Sequence, residues 1–264
     1  MEKFEFDHRQ AIDLLVKSAI HLQLHADTIC SACRYIHHFN EFLDKNLSTI
    51  EDEGSKYDIG VVVTASLYIA TKTKENHTPL SELISSVHFH LKVENNQIDY
   101  KSYKLLPKDF DYWKLRDSVT YFELLMLRIL RFDLIIDSPH KYLIFYLKTL
   151  SNWVNDNENI ERLFTLSWSM LNDYCCYHPQ SLQWPAHHTA LATIELAIEI
   201  SCPKMKTILQ PTSSCNDDRE SKHNSWYTNF DQKLKSDTVT QIINQLLEIN
   251  LNDETKKISS SNIK

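Results

Sequence analysis

Glycine occurs at only two of 264 positions, Gly54 and Gly60. Phosphate-cradling loops, dinucleotide fingerprints and nucleophile elbows all need glycine at fixed offsets, and none of them can be written into this sequence. Sheets joined by many tight turns are disfavoured on the same ground. What remains is a protein of helices joined by polar loops. Length admits one large domain or two of ordinary size, each with enough apolar material for a core. A formal charge of -7 argues against a general nucleic-acid binder, which needs a basic face for phosphates. The N-terminal stretch has no apolar core of signal-peptide type, and no run of eighteen apolar residues occurs, so the expectation is a soluble intracellular protein.

The stretch Asp58 to Glu75 is apolar on every side until charge enters at its C-terminal end. A helix of that kind must have neighbours all round it. Ala65, Ser66 and Ala70 let those neighbours approach closely, and Ser55 stands before Asp58 as a candidate cap. Amphipathic patterns surround this rod. Asp7 caps a first helix, about 8 to 23, with Ile12, Leu15, Val16 and Ala19 on one stripe. Asp27 caps a second, carrying Ile29, Ala32, Cys33, Ile36 and Phe39. Thr78-Pro79 opens a fourth, and a fifth spans about 109 to 132. In the fifth, Glu123 lies among bulky apolar residues, where a carboxylate finds a partner in the chain or awaits one outside it. Residues 94 to 104 read as an exposed insert.

The second half repeats the first. Ser138-Pro139 opens a helix, another covers Ile160 to Tyr174, and a second apolar rod covers about 186 to 201. Ala65-Ser66-Leu67-Tyr68-Ile69-Ala70 reads against Ala192-Thr193-Ile194-Glu195-Leu196-Ala197 at matching places in the two halves. Residues 203 to 235 form a long polar loop, pinned by Trp226, Tyr227 and Phe230. A last helix starts at Asp237, and a polar tail follows Asn252. The expected class is all-α, two tandem five-helix units each around a buried central helix, with domains at 1–135 and 136–252 and a tail at 253–264.

Cys30 and Cys33 form a CxxC without a second CxxC at zinc-ribbon spacing, and Cys33 lies on an apolar stripe, so buried reduced thiols are expected. His37/His38, His187/His188 and His88 with His90 are read as surface or core histidines, because helix neighbours point about 100° apart and chelate poorly. A hydrolase built on His187, His188 and Glu195 lacks a nucleophile-base pair at testable spacing. No catalytic residue, cofactor or metal site is expected.

Two successive units of this kind resemble the tandem boxes of the cyclin family. The stretch Leu67-Tyr68-Ile69-Ala70-Thr71-Lys72-Thr73-Lys74-Glu75 looks like the end of a cyclin third helix. Phe122-Glu123-Leu124-Leu125-Met126-Leu127, running on to Phe132-Asp133, looks like the fifth. Ser138 to Leu147, with Ser151-Asn152-Trp153 beyond, is most similar to the cyclin Q (cyclin M) group, and the similarity covers about residues 8 to 250. The resemblance implies a regulatory subunit of a cyclin-dependent kinase, cyclin-dependent kinase ten or a relative, with nuclear residence and no direct nucleic acid, membrane or nucleotide. It assigns kinase contact to Lys72 and Glu123, with Glu75, Leu127 and Phe132 on further contact positions. Thr71 replaces the usual small residue before the lysine, and Lys74 stands where a glutamate is frequent. An ion pair that only ties two helices together remains the alternative for Lys72 and Glu123. The competing class is a transcription-factor adaptor of the same fold that binds DNA or polymerase, although the last helix, Val239 to Asn250, carries no lysine or arginine.

Overall fold

In a computed structural model, residues 7–46, 57–93, 110–154, 157–201, 203 and 225–261 are described. They form α-helices and short 3-10 turns, with no strand among them. The chain divides into two units, Met1–Ile136 with Cys175–Pro179, and Asp137–Tyr174 with Gln180–Lys264. Ser55, the 94–104 insert, Cys202 and Cys215 lie outside the described residues.

Five helices build the first unit: α1 (His8–His21), α2 (Ala26–Asn46), α3 (Ile59–Thr73), α4 (Leu80–Val93) and α5 (Phe110–Ile129). The α3 helix packs against the other four. It buries eleven residues, from Ile59 to Thr71. Its polar members do not disturb that burial: Thr64 Oγ1 donates to the Gly60 carbonyl at 2.6 Å and Ser66 Oγ to that of Val62 at 2.9 Å. Asp58 is the cap, accepting from the Gly60 amide at 2.8 Å, an arrangement that contributes on the order of 1 kcal/mol. Phe39, Tyr57 and Phe122 meet edge to face at 5.2, 5.3 and 5.8 Å and join α2 to α5. The Tyr35 hydroxyl donates to the Leu134 carbonyl at 3.2 Å, fixing the chain beyond α5 to α2.

Asp7 caps α1 as expected, accepting from the Arg9 amide at 3.0 Å. Asp27 does not cap α2. The helix begins one residue earlier, and the His25 carbonyl accepts from Thr28 and Ile29, so Asp27 sits within the first turn, where a carboxylate still complements the helix dipole.

Two histidine pairs flank α1. His8 Nε2 lies 2.8 Å from His37 Nδ1, and His21 Nδ1 lies 3.1 Å from His90 Nε2. Burial pushes His37 down from 6.5 to about 3, helped by the neighbouring His8 and Arg34 charges. Burial lowers His8 too. Below pH 6.5 the unfolded chain therefore takes up a proton that the folded chain refuses, so stability is full above that value and is lost as pH falls toward 3. The slope is about 1.4 kcal/mol per pH unit for His37 alone, or about 2 kcal/mol lost by pH 5. Urea unfolding at a series of pH values is expected to show this loss, and His37→Gln to flatten it; equal slopes in the two proteins would remove His37 as its source.

The second unit contains α6 (Pro139–Trp153), α7 (Asn157–Tyr177), whose final turn belongs to the first unit, α8 (Ala186–Ser201) and α9 (Ser236–Ser261). Its four α-helices are those among the described residues; 204–224 fall outside them. The α8 helix is the apolar rod, buried from Ala186 to Ile198 and packed on α6 and α9. Trp226 and Tyr227, in a 3-10 turn spanning Trp226–Asn229, are buried, so the aromatic residues do pin the loop. The polar tail differs from expectation. The α9 helix runs through Asn252 to Ser261, a stretch that contains neither glycine nor proline to stop it.

Candidate functional site

Lys72 occupies the last turn of α3, where the helix dipole favours a cation. Its Nζ lies 2.6 Å from Glu123 Oε1 on α5 and 3.6 Å from the centre of the Tyr68 ring. The ammonium is thus held between a carboxylate and an aromatic face. The Lys72 side chain remains 47% exposed, against 15% for Glu123. A cation placed in this way can still be reached from outside while its carboxylate is largely withdrawn from water. Tyr68 is a member that the sequence reading missed, although its spacing of four from Lys72 puts both on one helix face. Beside them a surface hollow of about 370 Å³ is lined by Tyr68, Thr71, Lys72, His77, Thr78 and Pro79.

The remaining residues of the set follow from how α3 and α5 end. The Asn76 amide donates to the Thr71 carbonyl and the Glu75 amide to that of Lys72, which leaves Glu75 left-handed at φ 53. The same closure ends α5: Phe132 donates to Leu127 and Arg131 to Arg128, with Arg131 at φ 54 and Phe132 at φ 60. Glycine is the usual occupant of such positions, and a side chain there costs on the order of 1 kcal/mol. Neither closure contains one. The five residues form a connected series, from Glu75 through its bond to Lys72, across the ion pair to Glu123, along one turn to Leu127, and through the backbone bond to Phe132. Leu127 is half-buried, Glu75 exposed, and the Phe132 ring 66% exposed.

Other large apolar side chains lie close to Glu123 and Phe132 in sequence. Tyr121, Leu124 and Ile135 are all exposed, Ile135 at 93%. Helix periodicity alone did not mark them, since it locates the buried stripe and says little about apolar residues off it. Lys74, whose sign departs from the family pattern, is turned to the chain itself, with Nζ 2.8 Å from Asp27 Oδ2.

The histidine and cysteine expectations resolve separately. Cys30, Cys33, Cys175 and Cys176, all in the first unit, are buried thiols. Hydrogen bonding to Cys175 and Cys176, with burial, raises the Cys30 thiol; burial first raises that of Cys33. Both stay protonated and unreactive at neutral pH. His187 and His188 are not brought to Glu195, which accepts a hydrogen bond from the Trp226 indole. They face Asp231 instead. Among the described residues no helix is long and apolar enough to cross a membrane.

Comparison with known proteins covers the unit that holds this site. Residues 3–135 match the family model described as cyclin, N-terminal domain. Cyclin-K of Homo sapiens is 24% identical over 228 residues, 86% of this chain and 33% of that protein. Cyclin pch1 of Schizosaccharomyces pombe is 22% identical over 203 residues, 74% of this chain and 53% of its own length. The chain thus spans a third to about half of these relatives. A solved structure, described as the CAK complex from Chaetomium thermophilum bound to ATP-gamma-S, aligns over 91% of this chain and 62% of the matched chain with TM-score 0.57 at 12% identity, a likeness of fold. The domain match accounts for half of the sequence and for α3 with the four helices around it, and on that ground the chain belongs to the cyclin family.

Proposed function

We propose that this chain is a non-catalytic regulatory subunit that binds a cyclin-dependent kinase, cyclin-dependent kinase ten or a relative, and holds its αC helix in the active position. The observation that carries the reading is the pair that joins an exposed Lys72 in the last turn of α3 to Glu123 within α5, with Leu127 half-buried beside it and Phe132 uncovered. Charged groups beside apolar side chains that water still reaches are what a binding hot spot needs before its partner arrives. A kinase is active when its β3 lysine meets the αC glutamate and its activation loop is ordered. A surface complementary only to the inward αC helix selects that state. Moving such an equilibrium from 1:99 to 99:1 takes about 5.5 kcal/mol of differential binding, which a few desolvated contacts supply. Lys72 and Glu123 then act through binding free energy alone, with Glu75 at the rim and Leu127 and Phe132 as the apolar floor.

The test is capture of partners by the tagged full chain from native extract, with kinases identified by mass spectrometry. A kinase of the cyclin-dependent class is expected in near-stoichiometric amount. Recovery of no kinase by a folded chain, with tight and salt-sensitive shift of generic duplex DNA, would replace this reading with the DNA-binding adaptor.

A further inference from the structure

In the second unit, α8 opens on two adjacent histidines that turn to one carboxylate. His188 Nε2 is 2.9 Å from Asp231 Oδ2, and His187 Nε2 is 3.5 Å from the same oxygen. One ligand atom from each of the three residues lies within 4.8 Å of the others. The carboxylate is held from behind, because its Oδ1 accepts the Lys233 amide at 2.8 Å. The His187 ring is flanked by Tyr142 at 5.8 Å and by the His188 ring at 4.3 Å, and the Tyr142 hydroxyl donates to Asp137 at 3.0 Å. All three groups are thus positioned before anything binds.

A hydrogen bond that ties the loop to α8 accounts for His188. It does not account for His187, whose 3.5 Å separation is too long for one. Metal geometry accounts for both. A tetrahedral divalent ion with ligand bonds of about 2.0–2.1 Å sets its ligand atoms roughly 3.3 Å apart. The His187–Asp231 spacing is close to that value, and His188 needs to withdraw by only about 0.4 Å to reach it. We propose that His187, His188 and Asp231 form a three-ligand site for a borderline first-row divalent cation, zinc foremost, with the fourth position left to solvent. Two imidazole nitrogens and one carboxylate suit zinc, cobalt or nickel; magnesium and calcium prefer oxygen alone, and monovalent copper prefers sulfur.

The surroundings also set the kind of site. Nδ1 of His188 is buried and makes no hydrogen bond among the described residues, whereas tightly held metal-binding histidines donate that proton to an acceptor. The site is therefore exchangeable rather than a permanent part of the fold. When loaded, the ion links the start of α8 to the loop after Trp226, and it stabilises the folded unit by mass action.

The full chain, stripped with chelator, is titrated with zinc chloride by calorimetry and with cobalt chloride by absorption spectroscopy. One equivalent is expected to bind, with a cobalt spectrum of nitrogen and oxygen ligands, and zinc is expected to raise the Tm. His187→Ala, at a side chain 37% exposed and outside the core, is expected to lower affinity about tenfold or more and to remove the Tm rise, as is Asp231→Asn. Should Asp231→Asn fail to fold, His187→Ala decides alone. Absence of saturable binding, binding unchanged in His187→Ala, or a thiolate charge-transfer band assigning the metal to cysteine would each overturn the site.

Discussion

Glu123→Ala is expected to weaken kinase binding by about 2–5 kcal/mol, roughly thirty-fold to several thousand-fold in Kd, while lowering the stability of the free chain by about 1 kcal/mol or less. The two numbers differ because they measure different environments. In the free protein Lys72 is 47% exposed, so the ion pair with Glu123 works largely against water and is worth little. In the proposed kinase complex the same pair would be enclosed, and truncating one member would leave the other charge buried without its counterpart. Lys72→Ala is expected to behave alike, with a further loss of up to about 1 kcal/mol of stability from the Tyr68 contact. The double mutant should bind the kinase no more weakly than either single mutant, since it removes the unpaired charge that each of them leaves. Thermal unfolding of the free chain and titration against purified kinase separate the possibilities. If the mutants lose stability and keep the wild-type Kd, the pair is only a tie between α3 and α5.

Much of this arrangement was legible from patterns that act locally. The α3 and α8 helices announce themselves as rods apolar on every face, and Ser138-Pro139 marks a start because the fixed φ of proline suits the first helical turn; the cap of α3 is Asp58, where the sequence suggests Ser55. The Lys72–Glu123 meeting, across 51 residues, came from family resemblance and not from spacing. What stayed hidden depends on distant partners or on backbone states without a sequence mark. Glu75, Arg131 and Phe132 adopt left-handed backbone without being glycine or asparagine, so no residue type signalled those closures. Asp27 misled because a carboxylate suits both the cap and the first turn of a helix, and the choice was made by where α2 starts. For His187 and His188 the argument from helix angles concerned the Cβ directions alone. Their side chains are long enough for both Nε2 atoms to reach one carboxylate placed by a loop 43 residues on from His188.

Trp226→Ala is expected to cost the second unit about 3–5 kcal/mol and to lower its unfolding temperature by about ten degrees or more. Three contributions point the same way. The indole is 2% exposed, so its removal forfeits most of the burial of the largest side chain and leaves a void in a packed interior. Its Nε1–H donates to Glu195, itself only 6% exposed on α8, and a buried carboxylate deprived of a donor is worse solvated than one that never had it. The ring also meets Phe230 at 5.9 Å, and Phe230 meets Tyr146 at 4.8 Å and stacks on Trp153 at 5.4 Å, so loosening Trp226 frees the aromatic contacts by which the loop grips α6. Trp226→Phe separates these contributions: it keeps most of the apolar volume and removes only the donor, so about 1–3 kcal/mol is expected. Glu195→Gln in the Trp226→Phe background should then recover part of that loss, because an amide tolerates a missing donor better than a carboxylate does. Calorimetric unfolding of the full chain measures all three. A change below about 1 kcal/mol for Trp226→Ala would mean that α6, α8 and α9 hold the unit without the loop, and that its aromatic residues merely shelter beside them.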